Sequence, residues 1–82
     1  MDDYVAVRRL LSPDKHWRGD IFRRPNGTFG FWVFKHHDED VVGPHWDLFS
    51  KHSEAVVATV DDAGRELRGR IPELATALSA AV

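Results

Sequence analysis

The stretch from Trp17 to Lys35, WRGDIFRRPNGTFGFWVFK, limits the possible folds more than any other part of the chain. In it, a Pro-Asn-Gly turn signal separates two runs that suit strands. It predicts a β-hairpin. A two-residue Asn-Gly loop would need Pro25 to donate a ladder hydrogen bond, and proline has no N–H to donate. The loop is therefore expected to hold three residues, with Pro25 and Asn26 in a type I turn and Gly27 in the left-handed conformation. That choice fixes the register: Arg24 faces Thr28, Phe22 faces Gly30, Ile21 faces Phe31, Asp20 faces Trp32 and Arg18 faces Phe34.

Side chains alternate across a strand, so this register sorts the hairpin into two faces. Trp17, Ile21, Phe29, Phe31 and Val33 form an apolar row expected to pack on the core. Arg18, Asp20, Phe22, Arg24, Gly30, Trp32 and Phe34 form the other, which mixes aromatic rings with charges and lays Phe22 over a glycine. Large exposed apolar patches are unusual on monomers, so this second face is covered either by a loop or terminus of the same chain or by a partner. Its candidate partner-binding residues are Phe22, Trp32, Phe34, Arg18 and Arg24.

Around the hairpin, Tyr4, Val7, Leu10 and Leu11 suggest a short N-terminal helix over Asp2 to Leu11, capped by Asp2 or Asp3 and ended by the Ser12-Pro13 pair. YVAV could instead form an edge strand. Ser12 to His16 connects to the hairpin. His36 to Gly43 has the composition of an exposed loop, and His45 to Ser50 that of a third strand with Trp46 and Leu48 toward the core. His45, Asp47 and Phe49 would then face the other way, and a further short strand is possible at Ala55 to Ala58. Thr59 caps a C-terminal helix with Asp61 and Asp62 in its first turn. Its buried stripe is Val60, Ala63, Leu67, Ile71, Leu74, Leu78 and Val82. Asp61 with Arg65 and Glu66 with Arg70 stand four apart on the solvated side. Pro72 should kink or split this helix, with Gly69 easing the bend. The expected fold is α+β: one domain, residues 1–82, with an antiparallel three- to four-stranded sheet, a long C-terminal helix packed on one face and a short N-terminal helix.

A chain of 82 residues buries only about 60–65% of its unfolded surface, which leaves little room for a deep catalytic cleft and makes dimerisation helpful. The net charge of −2 supplies no global basic field for nucleic acid. The absence of cysteine removes disulfide and thiolate chemistry and fits a reducing cytosol. Neither a membrane span nor a signal peptide is expected, so the reading is cytoplasmic. Arginine outnumbers lysine and alanine is abundant, as in GC-rich bacterial or phage proteins.

The hairpin FRRPNGTFGFWVF, a following strand, the Ser53-Glu54 pair, and a terminal helix with Gly69 near Ile71 are together similar to small YegP-like domains of unknown function. The resemblance covers Asp20 to Ile71, and the His-rich loop and the helix entry are longer here. It implies an antiparallel sheet packed on a helix and brings no active site with it.

His36, His37, Asp38, Glu39, Asp40, His45 and His52 are ligand types for zinc or nickel, but their spacing matches no closed site, and a solvated polar loop is the better reading. No serine nucleophile stands beside a base at a readable spacing, and Gly27 and Gly30 belong to a hairpin rather than a phosphate loop. The expectation is therefore a non-enzyme with no cofactor and no bound metal. An aromatic face with arginines has the composition of an interface hot spot. It predicts a small protein-interaction module, a homodimer or a binder of another protein, of the inhibitor or immunity type. The alternative is single-stranded nucleic acid stacking on Phe22, Trp32 and Phe34 between Arg18 and Arg24.

Overall fold

The computed structural model describes residues 4–39 and 43–81. Its elements are β1 (Val5–Leu11), β2 (Trp17–Arg23), β3 (Phe29–Glu39), β4 (Gly43–Val57), α1 (Val60–Arg70), a 3-10 turn (Pro72–Leu74) and β5 (Leu78–Ala81). The strands make one five-stranded antiparallel sheet in the order β4-β3-β2-β1-β5. The first four strands form a meander. α1 then lies across one face, and β5 pairs with β1 at the far edge. Among the described residues no helix is long and apolar enough to cross a membrane.

The hairpin takes the register expected from its turn, with Phe22 opposite Gly30, Asp20 opposite Trp32 and Arg18 opposite Phe34. Arg24 N donates to Thr28 O and Gly27 N to Arg24 O, while Gly27 adopts φ 87°. Asn26 Oδ1 accepts from Thr28 N at 3.0 Å, which locks the loop further. On the apolar face Ile21, Phe31 and Val33 are fully buried, joined by Leu10, Ala63, Leu67, Ile71, Leu74 and Ala77, with Trp17 and Phe29 packed at the margin.

The fold class itself requires correction: the sheet is larger and the helices are shorter or missing. Val5–Leu11 is a strand and not a short helix. A bulge between Ala6 and Arg8 explains the misleading pattern, since the extra residue lets Val7 and Leu10 reach the same core from positions three apart, a spacing that imitates a helix. His36 to Gly43 is not a loop throughout, because β3 runs to Glu39 and β4 starts at Gly43. The separate strands expected at His45–Ser50 and Ala55–Ala58 belong to the one long β4.

The C-terminal helix is 11 residues long rather than extending to the end of the chain. Thr59 Oγ1 caps it by accepting from Asp62 N at 3.1 Å. Ile71, pushed to an extended conformation before Pro72, ends it, and Pro72 opens the 3-10 turn. Beyond the proline Leu74 is the stripe residue that is buried among the described residues, with Ala77 packed beside it in the core. Leu78 instead enters β5 and is 75% exposed, and Val82 lies outside the described residues. Glu66 and Arg70 form the expected pair at 3.1 Å, whereas Arg65 turns to Asp62 at 3.4 Å and not to Asp61.

Candidate protein-binding face

α1 covers one side of the sheet, so the second hairpin face points away from the helix. Strand pairing extends it across all five strands: Leu48, Phe34, Arg18, Leu11 and Leu78 stand side by side as one row. The next row toward the turn is led by Trp32, Asp20, Arg9 and Ala80. The face divides into a closed end and an open end.

At the closed end Phe22 is completely buried. Tyr4 stacks on it with ring centroids 5.0 Å apart and planes 11° from parallel, and Trp32 leans on it at 4.6 Å. The Arg24 guanidinium lies 5.1 Å above the same ring and donates to Phe29 O at 3.1 Å. Gly30 makes this possible: a Cβ there would stand 2.7 Å from both Phe22 Cζ and Arg24 Nη2. Phe22 and Arg24, two of the residues expected to meet a partner, are thus engaged by the chain's own Tyr4, Trp32 and hairpin turn.

At the open end Arg18 spreads over the Phe34 ring at 4.3 Å and the Trp46 ring at 4.9 Å, a cation–π arrangement that covers aromatic surface while keeping a charge in place. Asp20, only 7% exposed, holds two guanidinium groups, Arg9 at 3.0 Å and Arg18 at 3.4 Å. Burial lowers the pKa of Arg18 from its ordinary value, and the neighbouring Asp20 carboxylate opposes that shift. One carboxylate shared between two arginines leaves the described part of this face with an excess of positive charge.

Trp46 and Leu48 lie on this face, opposite His36 and Phe34, and not toward the core. The cause is the register of β4, in which a bulge at Val33/Phe34 makes Phe49 the extra residue. Phe49 packs edge-on against Trp17 at 4.9 Å on the helix side. The two alternating sets of β4 were separable in the sequence, but their sides are reversed. Leu48, Trp46, Leu11, Arg9 and Leu78 are therefore additions to the site. Alternation in β4 grouped the first two together but toward the core, whereas Leu78 was hidden by its fit to the helical stripe.

The histidine-rich segment forms ladder rungs at the far end of the sheet. His37 and His45 stack at 5.5 Å, and Asp47 Oδ2 stands 3.5 Å from His37 Nε2 and 3.2 Å from His45 Nε2. His36 lies on the opposite face, edge-on to Trp46 at 5.1 Å. The side chains of Asp38, Glu39 and His52, and Asp40 as a whole, lie outside the described residues; among those described, no group of three His, Asp or Glu is placed to hold a metal.

No family model, curated protein or solved structure matches this chain, so its likeness to YegP-like domains rests on the residues quoted for it alone.

Proposed function

We propose that the protein is a small non-catalytic interaction module that binds another protein through the open end of the helix-free face. One observation supports this above the others: the row Leu48, Phe34, Arg18, Leu11 and Leu78 crosses the whole sheet opposite α1, with Leu48 52% and Leu78 75% exposed. An arginine set over aromatic rings and flanked by leucines combines the side chains that dominate interface energetics. The surplus positive charge selects a partner that brings carboxylates among apolar groups. Such a module acts by occupying a partner's surface, as inhibitors and immunity proteins do. The cysteine-free composition suits action in the cytoplasm.

Base stacking is the weaker reading, because it needs open ring faces and those of Phe22 and Phe34 are engaged by Tyr4 and Arg18. Self-association through this face would oppose arginine to arginine, so a homodimer is better served by the outer edge of β4, the strand at one side of the sheet. The test is affinity capture with the parent protein and with Phe34→Ala/Leu48→Ser in parallel. A specific partner retained by the parent and lost by a folded variant supports the reading. Equal retention by both would overturn it.

A further inference from the structure

Arg8 stands on the helix side of β1, directly opposite the fully buried Ile21, a position where a strand normally carries an apolar residue. Its Nε is buried without a hydrogen-bond partner, and its Nη1 reaches Ser79 Oγ at 3.3 Å. Among the described residues no carboxylate pairs with it. Leaving an arginine uncompensated in partial burial is costly, and an anion seated beside it would offset that cost.

The surroundings supply the rest of a site. α1 lies over β2, β3 and β4, and between it and β1 and β5 opens a cleft of about 300 Å³ lined by Arg8, Arg65, Arg68, Ser79, Gly64 and Asp61. Arg65 and Arg68 approach from the helix, Arg8 and Ser79 from the sheet. Asp61 in the lining and Asp62, paired with Arg65 at 3.4 Å, set two carboxylates against the three guanidinium groups and leave a surplus of one positive charge, and the cleft also meets the first turn of α1, where the helix dipole favours an anion.

We propose that this cleft binds a phosphate monoester dianion of a small molecule, held between Arg8 and Ser79 on the sheet and Arg65 and Arg68 on the helix. Guanidinium forks match tetrahedral phosphate oxygens in pairs, the Ser79 hydroxyl adds a donor, and the cleft has room for a phosphoryl group with a small organic portion. The site lies on the opposite side of the sheet from the protein-binding face and does not depend on it.

Inorganic phosphate is the probe. Melting temperature is measured in phosphate and in acetate, each against chloride at equal ionic strength. Phosphate at about ten times its Kd is expected to raise Tm by roughly 5 to 10 °C, with acetate well below that. Arg8→Gln should abolish the phosphate-dependent rise while leaving Tm in chloride no lower than that of the parent, since an uncompensated guanidinium is removed. Arg65→Gln changes a side chain that is 82% exposed, so it keeps the fold while weakening the response. Amide shifts on phosphate titration should centre on Gly64 and Ser79. A rise no larger than that in acetate, or one retained in Arg8→Gln, would overturn the proposal.

Discussion

Leu67 of α1 rests directly on the backbone of Gly19 in β2, close enough that a Cβ on Gly19 would collide with its side chain. Leu67 is fully buried, so it cannot swing aside without disturbing Ile21, Val33 and Leu74 in the same core. This contact sets the distance between helix and sheet. Gly19→Ala is expected to cost about 1–3 kcal/mol by overpacking, and Leu67→Ala about 2–5 kcal/mol by leaving a cavity. The two changes compensate each other in part, so the double variant should lose less than the sum of the singles. Urea midpoints across the full double-mutant cycle give the answer; strict additivity would mean that the two positions do not touch.

Phe22 and Phe34 look equivalent in the sequence, both aromatic on one hairpin face, yet the structure gives them different work. Phe22 is buried under Tyr4 and Arg24, whereas Phe34 shares only the arginine-covered open end. Phe22→Ala should therefore destabilise by about 3–5 kcal/mol, the range for a fully buried ring. Phe34→Ala should stay within about 1 kcal/mol of the parent and lose partner binding instead. Denaturant unfolding of both variants separates the roles, and equal losses would show that the face is all core.

What could be read ahead was what the local chemistry determines. Pro25, Asn26 and Gly27 dictate one loop type, and that loop dictates every cross-strand pair from Arg24 to Arg18. Thr59 likewise marks the start of α1 by its own backbone chemistry, whereas Pro72, expected to kink or split a longer helix, ends it. Long-range pairing was not legible. Nothing near Val7 announces that β1 will bulge, or that it will serve two neighbours, β2 and β5. The extra residue Phe49 reversed the sides of Trp46 and Leu48 through one bulge that only the partner strand defines. Leu78 fitted both a helical period and a strand, and Pro72 decided for the strand by stopping the helix first.

Asp20 is the buried carboxylate on which Arg9 and Arg18 converge. Asp20→Asn keeps the shape and removes the charge, which leaves Arg18, 18% exposed at its side chain, without a counter-ion over the aromatic rings. A loss of about 3 kcal/mol is expected, because removing one partner strands the other. Arg18→Met in the Asn background should recover part of that loss, as the desolvated charge is gone. Equilibrium unfolding in urea checks both steps, and an unchanged midpoint for Asp20→Asn would mean that solvent screens the pair.

The β1–β2 connection carries its own pH dependence. Asp14 Oδ1 accepts from Ser12 Oγ at 2.6 Å and from His16 N at 3.0 Å, and these bonds hold its pKa below the ordinary 3.8. With the folded pKa below the unfolded one, the unfolded chain takes up the proton first as pH falls. The contribution is therefore complete above the unfolded value and disappears as pH drops through the folded one. Asp14→Asn should flatten part of the stability profile between about pH 5 and pH 2 and leave the neutral region with the same slope. Urea midpoints along that range test it; parallel profiles for parent and variant would show the turn to be indifferent to this carboxylate.

The outer edge of β4 gives the last prediction. β4 is the longest strand, at 15 residues, and it ends the sheet, while β5 at the other side is only 4 residues long. Long edge strands are templates for pairing with a second copy, and a two-fold axis beside β4 would join two sheets antiparallel into one continuous surface. Backbone hydrogen bonds would hold such a dimer, so it should form with rising concentration and change little between about 0.1 and 1 M salt, a range over which surface charge is screened. Arginine-opposed pairing through the helix-free face would instead strengthen with salt. Light scattering reads the mass, and hydrogen exchange locates the contact, with added protection at high concentration confined to β4 amides and absent from β5. Phe34→Ala should leave this dimer intact, because its side chain stands on the face and not at the edge. A monomer at high micromolar concentration, or protection gained along β5, would exclude the β4 edge as the dimer contact.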